Sequence, residues 1–138
     1  MKIAVFMFLL ISFALTGNEV NVFEKTSEQS VSKIFFEKDL KSKEKNTLVV
    51  KVEAKKGWHI NEDFPLSLKP TSTCFKFSKE KYDKKDAKFT ENNIELKTET
   101  QCEKSGKTDI KGTFSFGVCN DSLCKKETVN IEVSVDVK

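Results

Sequence analysis

Near its C-terminus the chain alternates without a break: Val129, Ile131, Val133, Val135 and Val137 are apolar, and Asn130, Glu132, Ser134 and Asp136 between them are polar. Successive side chains of an extended strand point to opposite faces, so this segment buries one face only as a β-strand. A helix would scatter the same residues around its circumference. The parity recurs along the chain. Leu48, Val50, Val52 and Ala54 alternate with Val49, Lys51 and Glu53, and Ile94, Leu96 and Thr98 with Glu95, Lys97 and Glu99. Phe114, Phe116 and Val118 alternate with Thr113, Ser115 and Gly117. Shorter candidates lie at 33–36, 66–69 and 74–77. Turn material separates them at Lys55-Lys56-Gly57, Pro70-Thr71-Ser72, Asn92-Asn93 and Ser105-Gly106. No segment carries a helical period of useful length. About seven or eight short strands at this spacing predict an all-β fold, an immunoglobulin-like antiparallel β-sandwich. The inter-sheet cysteine pair around a central tryptophan that marks many such domains is not evident.

The first residues have a different character. Met1 and Lys2 precede an uncharged, apolar run from Ile3 to Leu15, a length that suits a signal peptide and falls short of a bilayer span. The expected division is a signal peptide at 1–17, a flexible polar lead-in at 18–30 and one domain at 31–138. The remainder, about 120 residues, is enough for one core and too little for two. All 24 basic residues are lysines, nearly balanced by 21 acidic ones and spread along the chain. Nucleic-acid recognition favours clustered charge and arginine forks, so no nucleic-acid partner is expected. With no second apolar stretch of membrane length, the exported chain is expected to stay out of the bilayer, as a monomer in the periplasm or the medium.

Four cysteines follow the apolar start: Cys74, Cys102, Cys119 and Cys124. An even count in an exported chain predicts disulfides, and three pairings are open. Cys119-Asn120-Asp121-Ser122-Leu123-Cys124 joins the two most regular strands. If Asn120 to Leu123 form a hairpin loop, the flanking cysteines oppose each other with Cα atoms about 4.5 to 5.5 Å apart, a separation a disulfide spans. That leaves Cys74 for Cys102 as a structural bridge. Parity places both hairpin sulfurs outside the packed core, and both are expected to be accessible to an attacking thiolate. On a loop-entropy model the hairpin bridge stabilises by about 2.2 kcal/mol and the longer loop by about 3.6 kcal/mol. The longer bridge is the better staple and the shorter one is better placed for chemistry. Zinc is not expected, because C-x4-C offers two ligands, with His59 as a distant third, and export favours oxidation. Asn120-Asp121-Ser122 also fits the N-glycosylation pattern. A glycan there would obstruct the hairpin, so a redox role goes with a bacterial source.

Gly57-Trp58-His59-Ile60-Asn61 and the later Phe116-Gly117-Val118-Cys119-Asn120-Asp121-Ser122-Leu123-Cys124 resemble the N-terminal periplasmic domain of the bacterial thiol:disulfide interchange protein DsbD. The likeness runs from about Val31 to Val137. It implies an immunoglobulin-like domain that uses no cofactor and passes reducing equivalents between thioredoxin-like redox proteins or disulfide isomerases. It implies further that Cys124 forms the mixed disulfide with partners and Cys119 resolves it. A cap loop bearing an aromatic ring covers the cysteines in that family; the corresponding region here is Tyr82 to Phe89, with Tyr82 as the expected ring. The segment Gly57 to Asn61 is expected near the cysteines, with Trp58 and Ile60 in the core and His59 and Asn61 toward the redox site. Two departures stand out. Lys125-Lys126 replaces the proline that often follows the second cysteine, and the family's membrane channel and thioredoxin-like domain have no counterpart in these 138 residues. The expectation is therefore a shuttle or accessory exchange domain. The contrasting reading is a secreted immunoglobulin-like binding module with two purely structural disulfides.

Overall fold

The computed structural model describes residues 19–138. The segment read as a signal peptide lies outside the described residues. The strands are β1 (Val20–Thr26), β2 (Ser30–Phe36), β3 (Lys45–Ala54), β4 (His59–Ile60), β5 (Ser67–Ser72), β6 (Lys76–Phe77), β7 (Ala87–Phe89), β8 (Asn93–Gln101), β9 (Gly106–Cys119) and β10 (Cys124–Val137). All the pairings are antiparallel. One sheet runs β1-β2-β3-β8-β6, with β7 also against β8. The other runs β10-β9-β4, with β5 also against β9. Leaving out β1, the first sheet has the A-B-E-D order and the second the C-F-G order of a constant-type immunoglobulin domain. The fold is an immunoglobulin-like antiparallel β-sandwich.

The alternating residues do what their parity requires. Ile34, Leu48, Val50, Val52, Ile94 and Leu96 from one sheet form a single core with Leu68, Phe114, Phe116, Val118, Val129 and Ile131 from the other. Apolar surface withdrawn from water on both inner faces is the main force holding the sheets together. The long hairpin keeps one unbroken register from Val137↔Gly106 to Cys124↔Cys119. It therefore starts well before the alternation at Phe114 that first signals it.

Three expectations change. The lead-in at 18–30 is not a flexible segment where it is described: β1 pairs with β2, and Val20, Val22 and Phe23 pack against the core. A register shift between Asn21 and Phe23 inserts Val22 as an extra residue and breaks the alternation that would have revealed the strand. Pro70-Thr71-Ser72 is strand rather than turn. Pro70 fits because β5 pairs with β9 on one side, facing Gly112, and a missing N–H is tolerated at such an edge.

The third correction concerns Tyr82. Its side chain is 2% exposed and belongs to the core. Its hydroxyl lies 3.0 Å from Ser78 Oγ, within hydrogen-bond reach of Thr98 Oγ1, and accepts from the Lys79 N–H. Its backbone exchanges hydrogen bonds with Leu68. A ring fixed in this way packs inside the sandwich and cannot cap the hairpin. The rest of the segment read as a cap is a 3-10 turn, Lys84–Asp86, followed by β7. Asp83 caps the turn, and Asp86 accepts from the Asp83 N–H and pairs with Lys79. The Lys79 hydrogen bond, aided by the Asp83 N–H, holds the Asp86 carboxyl below the usual carboxylate range.

Candidate functional site: a hairpin disulfide at one end of the sandwich

Both disulfides have formed, Cys74–Cys102 and Cys119–Cys124. They occupy opposite ends of the sandwich. Cys102 follows the last residue of β8, and Cys74 lies in the connection that crosses from β5 to β6. This bridge ties the crossover to the end of β8, an inner strand of the first sheet. Around it, Lys43 N–H donates to the Cys102 carbonyl and Ser42 N–H to the Lys138 carbonyl, which fastens the C-terminus to the same end. Cys102 is 1% exposed. These features suit a staple.

Cys119 and Cys124 close the far end of the β9–β10 hairpin, directly opposed, with Cα atoms 4.0 Å apart. The loop between them is organised by Asn120. Its side-chain oxygen accepts from the Ser122 and Leu123 N–H groups at 2.8 Å each, and its own N–H donates to the Leu123 carbonyl. An asparagine that satisfies the backbone donors two and three residues on shapes a tight turn without a glycine.

The two sulfurs differ in surroundings. Cys124 opens an edge strand and is exposed. Cys119 ends β9, flanked by β10 on one side and β4 on the other, and is 6% exposed. The expectation that both are accessible therefore holds for Cys124 only. Parity is respected, since Cys119 is outside the core cluster and is buried on the outer face of the sheet, between β10 and β4. Beside Cys124 at the loop tip, Leu123 is 45% exposed.

The cover on that face includes a ring the sequence did not single out. Phe64, in the loop after β4, packs over Gly117 so closely that a Cβ placed on Gly117 would lie 2.5 Å from Phe64 Cβ. Gly117 and Cys119 share a face two residues apart, so Phe64 lies on the same face of β9 as the buried sulfur. The signal available was the glycine itself. A Gly inside a strand of large residues often marks the close approach of another group. Asn61 shapes the Phe64 loop: its N–H donates to the Gly117 carbonyl, its carbonyl accepts from Phe64 N–H, and its side chain accepts from Asp63 N–H. Asn61 is thus tied to the backbone of β9, the strand that ends at Cys119.

His59 pairs directly with Cys119, and Ile60 with Val118. Ile60 is buried and Trp58 packs against the core, as their parity predicts. Lys125 carries its ammonium 5.9 Å from the Trp58 ring centroid, across the end of the sandwich. A rung of side chains therefore crosses three strands in the order Cys124, Cys119, His59. Thiol–disulfide exchange is an attack by a thiolate on one sulfur with departure of the other. Here the sulfur that solvent reaches is Cys124, and the one that would leave is Cys119.

No family model matches this chain, and no curated protein does. Among solved structures, the GAE domain in a crystal structure of yeast GGA1 aligns with 14% identity and a TM-score of 0.38, covering 81% of this chain and 97% of that one. The fold assignment above rests on strand order and pairing alone. Among the described residues no helix is long and apolar enough to cross a membrane, and every cysteine is in a disulfide, the state expected outside a reducing cytosol.

Proposed function

We propose that this protein is an exported thiol–disulfide exchange domain, periplasmic or secreted, that passes reducing equivalents between thioredoxin-like partners through Cys119 and Cys124. The observation that carries the reading is the unequal exposure of the hairpin disulfide: one cysteine is exposed on an edge strand, and the other is buried between two strands. A stabilising clip needs no such asymmetry. A site that must accept a partner's thiolate at one defined sulfur does. Cys124 is the sulfur that partners engage, and Cys119 is the resolving one. Phe64, rather than Tyr82, is the ring that fits the cap expected from the DsbD-like motifs.

The test is covalent trapping. Removing the resolving thiol makes the mixed disulfide persist, so Cys119→Ala is expected to accumulate a complex with a thioredoxin-like protein through Cys124, and Cys124→Ala to trap little. Equal trapping by both variants would overturn the assignment of roles. No trapping by either would favour the binding module with two structural disulfides.

A further inference from the structure

The rung that ends on His59 bears on the step in which the disulfide opens. Displacement at sulfur is in line: the nucleophile approaches along the extension of the S–S bond, and the leaving sulfur departs on the far side. The Cys119–Cys124 bond spans β9 and β10, with solvent at the Cys124 side and β4 at the Cys119 side. The departing sulfur therefore moves toward the residue opposite it on β4, which is His59. Directly opposed residues in an antiparallel pair have Cβ atoms about 4.5 to 5.5 Å apart, within reach of an imidazole and a thiolate.

We infer that His59 is the proton donor to Cys119 when a partner dithiol reduces the hairpin. In the first step the partner thiolate supplies the electron pair of a new S–S bond to Cys124, and the old S–S pair leaves on Cys119. The His59 imidazolium gives its proton to that thiolate and becomes neutral. In the second step the partner's other thiol, as thiolate, attacks its own bridged sulfur and releases Cys124 as a thiolate. The partner ends as a disulfide and the hairpin as two reduced cysteines, so electrons balance. Without a donor, Cys119 would have to depart as an anion at a buried position, where burial disfavours charge.

The charged groups on the elements around His59 are Lys55 and Lys56 before it, Glu62 and Asp63 after it, Asp121 in the hairpin loop, and Glu95, Lys97 and Glu99 on β8, which also touches β4. Glu91 lies across the hydrogen bond from Ile60 N–H, and Lys125 and Lys126 are on β10. Lys125 is placed over Trp58, and Lys126 pairs with Gly117 on the far side of β9 from β4, so neither stands opposite Cys119 on the side to which it leaves.

This inference rests on reading the hairpin as the exchange site. Its test uses dithiothreitol and no partner, so the two can fail separately. Reduction of the Cys119–Cys124 bridge is followed by acid quench, alkylation and peptide mass, and each rate is divided by the dithiothreitol thiolate concentration. Histidine changes charge around neutrality. In the wild-type protein the corrected rate is expected to fall about tenfold as pH rises from 5.5 to 8.5, equivalent to about 1.4 kcal/mol in the barrier. Both variants are expected to give a flat profile at the low level. His59→Gln has no proton to give, and the ammonium of His59→Lys, with an ordinary value of about 10.4, is too weak an acid to protonate a thiolate whose thiol lies at about 8.5. A flat profile at the high level for His59→Lys would mean that positive charge alone suffices and would overturn proton donation. Thermal melting of each variant checks that the fold is intact, and if one fails to fold, the other decides. A flat wild-type profile, or a variant profile with the wild-type slope, overturns the inference. In neither case is the trapping result affected.

Discussion

Replacing Gly117 with alanine should be costly out of proportion to its size, and the cost should depend on what occupies position 64. The added Cβ would lie 2.5 Å from Phe64 Cβ and 2.6 Å from Phe64 Cγ, distances at which one group has to move. Overpacking of this kind costs about 1–3 kcal/mol; about 2 kcal/mol is expected here, because Phe64 sits in a loop that can shift. Two variants at position 64 grade the relief. Phe64→Ala removes the ring but keeps the Cβ, so part of the clash persists. Phe64→Gly removes all the conflicting atoms. On that background Gly117→Ala should become favourable by about 0.5–1 kcal/mol, because a glycine inside a strand is entropically costly relative to alanine. The coupling between Gly117→Ala and Phe64→Gly should therefore be about 2.5–3 kcal/mol, within the range found for residues in contact. Urea unfolding of the oxidised proteins measures each corner of the cycle. An equal cost for Gly117→Ala on all three backgrounds would show that Phe64 does not lie on β9, and the cap reading would go with it.

Two further outcomes follow from the core and the second disulfide. Tyr82→Phe should lower stability by about 1–3 kcal/mol, because Thr98 and the Lys79 N–H lose a buried partner, yet leave hairpin reduction by dithiothreitol unchanged; faster reduction would restore Tyr82 as a cap. Replacing Cys74 and Cys102 together by alanine should cost about 2–5 kcal/mol in urea unfolding while the hairpin still cycles; loss of hairpin exchange in a folded variant would mean that the two bridges are coupled.

Much of the sandwich was legible in parity because burial on one face is a local, two-residue repeat. Val129 to Val137, Leu48 to Val52 and Ile94 to Thr98 each show it. The hairpin register was legible for a related reason, since a short loop fixes which residues oppose each other, and Cys119 meets Cys124. What escaped was set by contacts between segments far apart in the chain. β1 was hidden by one extra residue, Val22, in its ladder. Tyr82 lies in a segment with no period, and its backbone exchange with Leu68 and the hydroxyl contacts to Ser78, Thr98 and the Lys79 N–H hold it inside. The burial of Cys119 depends on β4 and the Phe64 loop packing on a face that parity alone assigns to solvent. At Gly112, where a Cβ would come 2.7 Å from the Lys69 carbonyl, the close approach is again to a separate strand. Glycines in otherwise bulky strands were the sequence's trace of these approaches.

The central claim is that the hairpin disulfide exists to be exchanged, and its reduction potential tests that most directly. Equilibration of the oxidised protein with graded thiol–disulfide buffers, with each bridge quantified by alkylation and peptide mass, gives a potential for each. Structural disulfides typically lie below about −300 mV, whereas exposed exchange sites are more oxidising. The account predicts a Cys119–Cys124 potential clearly above about −300 mV and a Cys74–Cys102 potential below it. Both bridges below about −300 mV would contradict it.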